Sequence, residues 1–347
     1  MTRLGSGATQ GLLTSSPTIP NCVTRAPFKI VNRKSEIVNG FTLVEILVVV
    51  VLLSFIILAL MTVFNATQNA FRAGITQTDV MEGGRSVMGL IKTDFESMTP
   101  SYGQSNTIFS GNYYSFIPNT APVNFAVITN TWQYQSNSPP LVQALIGSVN
   151  GYQRTNVLEK FFFITRQNQT WTGVGYVVDT ASTNYINPLY RFNASGDVSA
   201  QNMPWELYAS FLTNSDFINN PVSPTNNTSL SHLVDGVVHL TVRAYDINGR
   251  WMTNFYTYYG PNSSQTTTNQ NTWFSPPTLG EVGFYMFSNT LPASVEVDLG
   301  VLEDRTIQRA ESLGGLTQSN YLAQQAGKVH LFRQRFPIRN VDPSAYQ

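Results

Sequence analysis

The feature that most constrains this chain is an apolar run near its N-terminus. The 19 residues from Ile46 to Phe64 carry no charge and only two polar side chains, Ser54 and Thr62. A helix rises about 1.5 Å per residue, so the run nearly crosses a bilayer core about 30 Å thick, and Phe41 to Val44 complete the span. Basic residues set the orientation. Lys29, Arg33 and Lys34 precede the run closely, whereas Arg72 is the only basic residue soon after it. The positive-inside rule therefore predicts a single-pass segment with a cytoplasmic N-terminus. A cleaved secretory signal is disfavoured, because its apolar region is shorter and ends in a small-residue cleavage site.

One acid breaks the pattern. Glu45 sits inside the mouth of the span, where an unpaired carboxylate costs about 3 kcal/mol or more. The surrounding sequence, Asn39-Gly40-Phe41-Thr42-Leu43-Val44-Glu45 followed by the hydrophobic helix, resembles the processing site of type IV prepilins and type II secretion pseudopilins. The resemblance implies that residues 1–40 are a leader and that a prepilin peptidase cleaves between Gly40 and Phe41 at the cytoplasmic face. It further implies N-methylation of the new Phe41 amine. Glu45 takes the place of the family's fifth-position acid, which pairs with a Phe41 amine as subunits pack into a filament. Opposite charges in a low-dielectric helix bundle attract strongly, so the acid favours docking of a further subunit.

Beyond Asn65 the pattern becomes amphipathic. Val80, Gly84, Val87, Ile91, Phe95 and Met98 recur at helical spacing and form one stripe, with Glu82, Arg85, Lys92 and Glu96 off it. Pro100 ends the helix through its effect on Thr99. Gly74 and the Gly83-Gly84 pair are weak points, and Asp79 with Glu82 suits a restart, so a bend or loosening is expected between 72 and 84. Val80, Val87, Ile91 and Phe95 are the expected packing residues.

After Pro100, β-branched and aromatic runs alternate with Asn, Ser, Thr, Gly and Pro. Strands are expected at Val123–Thr129, Lys160–Thr165, Val174–Asp179, Leu189–Phe192, Gly236–Asp246, Trp251–Tyr258, Ser294–Leu302 and Val329–Arg335. The Asp246-Ile247-Asn248-Gly249 stretch reads as a hairpin turn. Short helices are expected at Leu302–Glu311 and Ser319–Ala326, and surface excursions at 213–231 and 260–280. The fold class that follows is α+β: a long N-terminal helix, spanning at 41–64 and amphipathic at 65–98, packed on an antiparallel β-rich head over 99–347.

Within this region Glu82-Gly83-Gly84-Arg85 and Ile91-Lys92-Thr93-Asp94-Phe95 are similar to a helix segment of J-type minor pseudopilins and W-type minor pilins. Leu233 to Val237, Val242 to Asp246 and Gly249 to Trp251 resemble their central hairpin, and Leu291 to Val297 the strand after it. The resemblance implies a minor subunit of a pseudopilus or pilus, acting in a tip or initiation complex. Its partners would be the peptidase, other minor and major pilins and inner-membrane lipid, with the head in the periplasm before filament assembly.

Chemistry-bearing constellations are sparse. The only cysteine, Cys22, lies in the leader, which removes disulfides and thiolate chemistry from the remainder. The net charge of zero gives no footprint for nucleic acid. His232 and His239 are separated by an odd number of residues, so a strand points them to opposite faces, and no metal is expected. Ser231-His232 near Asp235 imitates a hydrolytic trio only in sequence. Asp246, Asn248 and Gly249 begin like a calcium loop without the closing acid; Asp298, Glu303 and Asp304 are the acids to watch. Gly173-Val174-Gly175 lacks the third glycine of a nucleotide loop. Trp171, Trp251 and Trp273 would carry the alternative function, a pilin-exported adhesin or ligand-binding module. An anchored hydrolase ranks last with 12% charged residues and three histidines. No catalytic residue, cofactor or enzymatic activity is expected.

Overall fold

The computed structural model describes residues 42–102, 122–130, 141–145, 151–180, 186–197, 203–217, 228–252, 271–274 and 281–346. The chain divides into two units after Val63. In the first, Leu43 to Val63 is helical and every side chain is exposed. This helix, α1 (Leu43–Glu96), is the one among the described residues long and apolar enough to cross a membrane.

The second unit holds the rest of α1 and the head. From Phe64 to Glu96 the helix is continuous, as the single long helix expected, and it does not restart at Asp79 or Glu82. Gly74 is open to solvent, whereas Gly84 is a contact point. A Cβ at Gly84 would fall 2.2 Å from the ring of Phe332, so the glycine is what lets that ring lie on the helix backbone. The last turn tightens, with Ser97 N–H donating to Asp94 O and Met98 N–H to Phe95 O. Thr99 N–H then donates to Ile164 O, which hands the chain to the sheet.

The described strands are β1 (Val123–Asn130), β2 (Val142–Ala144), β3 (Gln153–Thr155), β4 (Glu159–Gln167), β5 (Thr170–Val178), β6 (Asn187–Asp197), β7 (Leu230–Tyr245), β8 (Thr272–Phe274), β9 (Glu281–Phe287), β10 (Ser294–Leu302) and β11 (Val329–Pro337). Among the described residues nine of them form one antiparallel sheet in the order β11-β10-β7-β6-β5-β4-β1-β9-β8, and β2 pairs with β3. The sheet curls into a half-barrel, because the start of β4 returns to β7 through a bridge between Leu158 and Leu240.

Helices cover both faces. α1 lies on one, where Val80, Val87, Ile91 and Phe95 join Phe161, Phe163 and their neighbours in the largest core. α2 (Met203–Asn214) lies on the other, over Phe162, Ile164, Trp171 and Phe192. The run Phe161-Phe162-Phe163-Ile164 is fully buried because β4 is covered on both sides, the reason it reads as continuously apolar instead of alternating. A third cluster packs α3 (Asp304–Glu311) and α4 (Gly315–Ala323) against Leu141, Val238 and Leu302.

The strands expected at Ser294–Leu302, Val329–Arg335 and Val123–Thr129 are present, and Leu189–Phe192 is the middle of a longer strand. β9, α2, β2 and β3 had no expectation, and β8 lies in the stretch 260–280 expected as a surface excursion, of which 260–270 and 275–280 lie outside the described residues. Of Trp251–Tyr258, only Trp251 and Met252 are described; Trp251 pairs with Tyr245 across the Asp246 turn, where Gly249 has φ of 76°.

The Gly84 contact makes a discriminating test. Gly84→Ala should destabilise the protein by about 1–3 kcal/mol through overpacking on Phe332, despite the helix propensity it adds. Gly89→Ala, with nothing within 4 Å of its new methyl group, should stabilise by up to about 1 kcal/mol. Denaturant unfolding of the full chain in detergent measures both, and equal effects would contradict the close approach.

Candidate functional site

Three places carry the candidate residues: the start of α1, its docked face, and the seam where the sheet curls back.

At the start of α1, Gly40 and Phe41 lie outside the described residues. Glu45 is described and exposed. Its Oε2 accepts the Thr42 N–H at 2.9 Å, and its own N–H donates to Thr42 Oγ1 at 3.4 Å. This is a capping box, in which Thr42 and Glu45 satisfy two of the donors a helix N-terminus leaves open. Glu45 thus has a partner within its own chain. The two hydroxyls of the apolar run are also satisfied internally, Ser54 by Val50 O at 2.8 Å and Thr62 by Ala59 O at 2.7 Å. The run therefore presents no unmet hydroxyl donor to a hydrocarbon phase.

On the docked face, Val80, Gly84, Val87, Met88, Ile91, Asp94 and Phe95 are buried. Phe95 sits between three rings, with centroids 5.6 Å from Phe161, 5.0 Å from Phe163 and 5.7 Å from Phe336. The residue before Phe95 carries a charge. Asp94 accepts the Tyr176 hydroxyl through Oδ2, and Arg191 clamps both its oxygens, Nε to Oδ2 at 2.7 Å and Nη2 to Oδ1 at 2.9 Å. The clamp on Asp94 raises the Arg191 guanidinium pKa, and burial raises that of the Tyr176 phenol. Adjacent strands β5 and β6 set the two donors side by side, since Tyr176 and Arg191 are register partners. At the helix end Arg339 reaches Glu96 at 3.1 Å and Asn340 caps Met98 O at 2.7 Å.

At the seam, side chains carry part of the pairing between the start of β4 and β7. Leu240 N–H donates to Val157 O, Val157 N–H to His239 Nδ1, and Val242 N–H to the Glu159 carboxyl, which also accepts the Thr129 hydroxyl. Burial pushes the Glu159 carboxyl up to about 7, against the lowering effect of Val242 N–H, the Thr129 hydroxyl and Arg243. Burial lowers His239 to about 4, so it is neutral at pH 7 and can accept from Val157.

The remaining candidates are not brought together. His232 and Asp235 pair at the surface at 2.9 Å, and Ser231, one residue earlier on the strand, faces the other way. Asp246 Oδ1 is occupied by the N–H groups of Asn248 and Arg250, as a turn requires. Asp298 is held by Arg333, and Glu303 by Lys328 and His330, while Asp304 opens α3. No group of three or more His, Cys, Asp or Glu suited to a metal occurs among the described residues. Gly173 and Gly175 lie inside β5, where Cβ atoms would strike Phe162 and Phe211, so their role is to admit α2 to the sheet. Trp171 is buried under Arg166 and Trp251 lies under Arg243; the Trp273 side chain is outside the described residues.

No family model, curated protein or solved structure matches this chain.

The seam gives a pH prediction. Glu159 is raised in the fold, so its contribution is greatest below its unfolded pKa and is lost as pH rises from about 4.5 towards 7. His239 is depressed, so its contribution is present above about 6.5 and is lost as pH falls towards 4. Between these limits the two oppose each other. Glu159→Gln keeps an acceptor for Val242 and should gain about 1–3 kcal/mol at pH 8. It should also make stability fall more steeply from pH 6.5 to 4.5, as read by thermal unfolding across pH. An unchanged profile would contradict the burial of Glu159.

Proposed function

We propose that the chain is a non-enzymatic minor pilin-like subunit of a type II secretion pseudopilus or a type IV pilus, held in the bacterial inner membrane before assembly. The leader would be cytoplasmic and the head periplasmic. The observation that carries this reading is the pairing of motif and helix. In sequence, Gly40-Phe41-Thr42-Leu43-Val44-Glu45 leads into a helix whose residues 46–63 carry no charge and are wholly exposed. Such a surface is stable only against lipid or against other helices. The stretch beyond Val80 supports the same reading, because a helix with a buried stripe on a β-rich head is the arrangement that the resemblance implies. Glu45, capped by Thr42 in the free subunit, would exchange that partner for a neighbour's Phe41 amine on entering a filament. The tip or initiation role, with other minor pilins as partners, rests on the resemblance around Glu82 to Asp94 and Leu233 to Trp251.

Mass spectrometry of the chain expressed with a prepilin peptidase should find a mature N-terminus at methylated Phe41. In a secretion or piliation assay, Glu45→Ala should leave membrane insertion intact and reduce incorporation at least several-fold. A chain that keeps residues upstream of Gly40, or a variant that assembles normally, would refute the reading.

A further inference from the structure

The free edge of the sheet at β11 is untouched by the reading above. In an antiparallel ladder the N–H and C=O of one residue point to the same neighbour, and those of the next residue to the opposite one. The phase can be followed across three strands. On β7, Leu240 N–H donates to Val157, Val242 N–H to Glu159, and Ala244 O accepts from Met252, so even-numbered residues there face away from β10. Odd-numbered ones face it, and the register Thr241↔Asp298 and Arg243↔Glu296 turns the even residues of β10 towards β7. Val295, Val297 and Leu299 therefore face β11, opposite Phe336, Gln334 and Phe332. Bonds beyond both ends keep this phase: Ile338 N–H to Ala293 O and Glu303 N–H to Lys328 O. Leu331, Arg333 and Arg335 are left with their backbone groups directed out of the sheet.

All three are exposed residues, and no described strand lies beyond them. Natural edges are blunted by bulges, prolines, short length or charged side chains. β11 has only the last of these: its nine residues pair with β10 without a register shift, and Pro337 is the last of them. The edge is also charged in one sense. From Lys328 to Arg339 the chain carries four Lys and Arg and no acid. Arg333 is tied to Asp298, but Arg335 forms no salt bridge among the described residues; it donates to Ser294 Oγ and lies 3.9 Å over the Tyr245 ring.

We propose that the outer edge of β11, through Leu331, Arg333 and Arg335, is a strand-docking site for an extended segment of a different protein that carries acidic residues at alternate positions. Main-chain bonds would supply the affinity, and carboxylates beside Arg333 and Arg335 the selectivity. A second copy of this chain is the wrong occupant. Two-fold pairing centred on Arg333 or Gln334 sets guanidinium against guanidinium, which is destabilising. The site belongs to the head alone and does not depend on how the N-terminus is processed.

The test uses the full chain in detergent and a fluorescent nine-residue peptide of alternating valine and glutamate, followed by anisotropy and amide hydrogen exchange. The peptide should bind and slow exchange at Leu331, Arg333 and Arg335 at least tenfold, leaving Phe332 and Gln334 unchanged. N-methylation of alternate peptide residues, on the edge that meets β11, should weaken binding at least tenfold, as should lysine in place of glutamate. Leu331→Pro, which removes one outward N–H and spares the β10 ladder, should weaken it several-fold. The N-methylated peptide tests the wild-type chain directly and needs no variant to fold. Absence of binding at millimolar peptide, equal binding of the N-methylated form, or protection of β11 by self-association alone would overturn the proposal.

Discussion

A carboxylate moved from water into a protein interior is stable only when it is paired and its lone pairs are used, because the desolvation cost is several kcal/mol. Asp94 meets that condition with a two-pronged arginine and a tyrosine hydroxyl. Apolar stripes alone allow a helix to slide or rotate on a sheet with little penalty. A bidentate clamp does not, since a shift of one residue would leave Asp94, Arg191 and Tyr176 buried without partners. The clamp fixes where along α1 the head is mounted. Gly84, pressed on Phe332, and Phe95, set among three rings, then follow as consequences of that register.

The second half of α1 is thereby committed to the head, while Leu43 to Val63 keeps every side chain exposed. The two stretches are chemically different. The first has no charged residue after Glu45 and satisfies its hydroxyls on its own backbone; the second buries one charge and several apolar side chains. The first stretch is long and apolar enough to cross a membrane, and the second belongs to the folded body. That division of labour is the physical content of the membrane-anchored, assembly-competent reading.

Periodicity made much of this legible. The stripe from Val80 to Met98 could be read because helical spacing reports which face is covered, and those residues are buried. Ser294–Leu302 could be read because β-branched runs end sharply at Pro292 and Glu303. Asp94 was visible only as part of a resemblance; its partners lie 82 and 97 residues later, and no local pattern connects them. The Gly83-Gly84 pair suggested a weak helix, since propensity cannot distinguish a flexible glycine from one that admits a ring. Two elements carried signals that were missed: Leu207, Tyr208 and Phe211 have the spacing of α2, and Phe284 to Phe287 is an apolar run bounded by polar sequence. The seam at His239 and Glu159 had no sequence signature, because side chains there accept backbone N–H groups from residues 82 and 83 positions away.

The central claim is that Asp94 and Arg191 act as one unit that fixes α1 on the sheet, and a double-mutant cycle measures it most directly. Asp94→Ala and Arg191→Ala should each cost about 3 kcal/mol in denaturant unfolding of the full chain. The double variant should cost less than their sum by at least about 1.5 kcal/mol, because neither charge is then left unpaired. Strictly additive losses would mean that the two residues contribute independently, and the account of how the helix is held would be wrong.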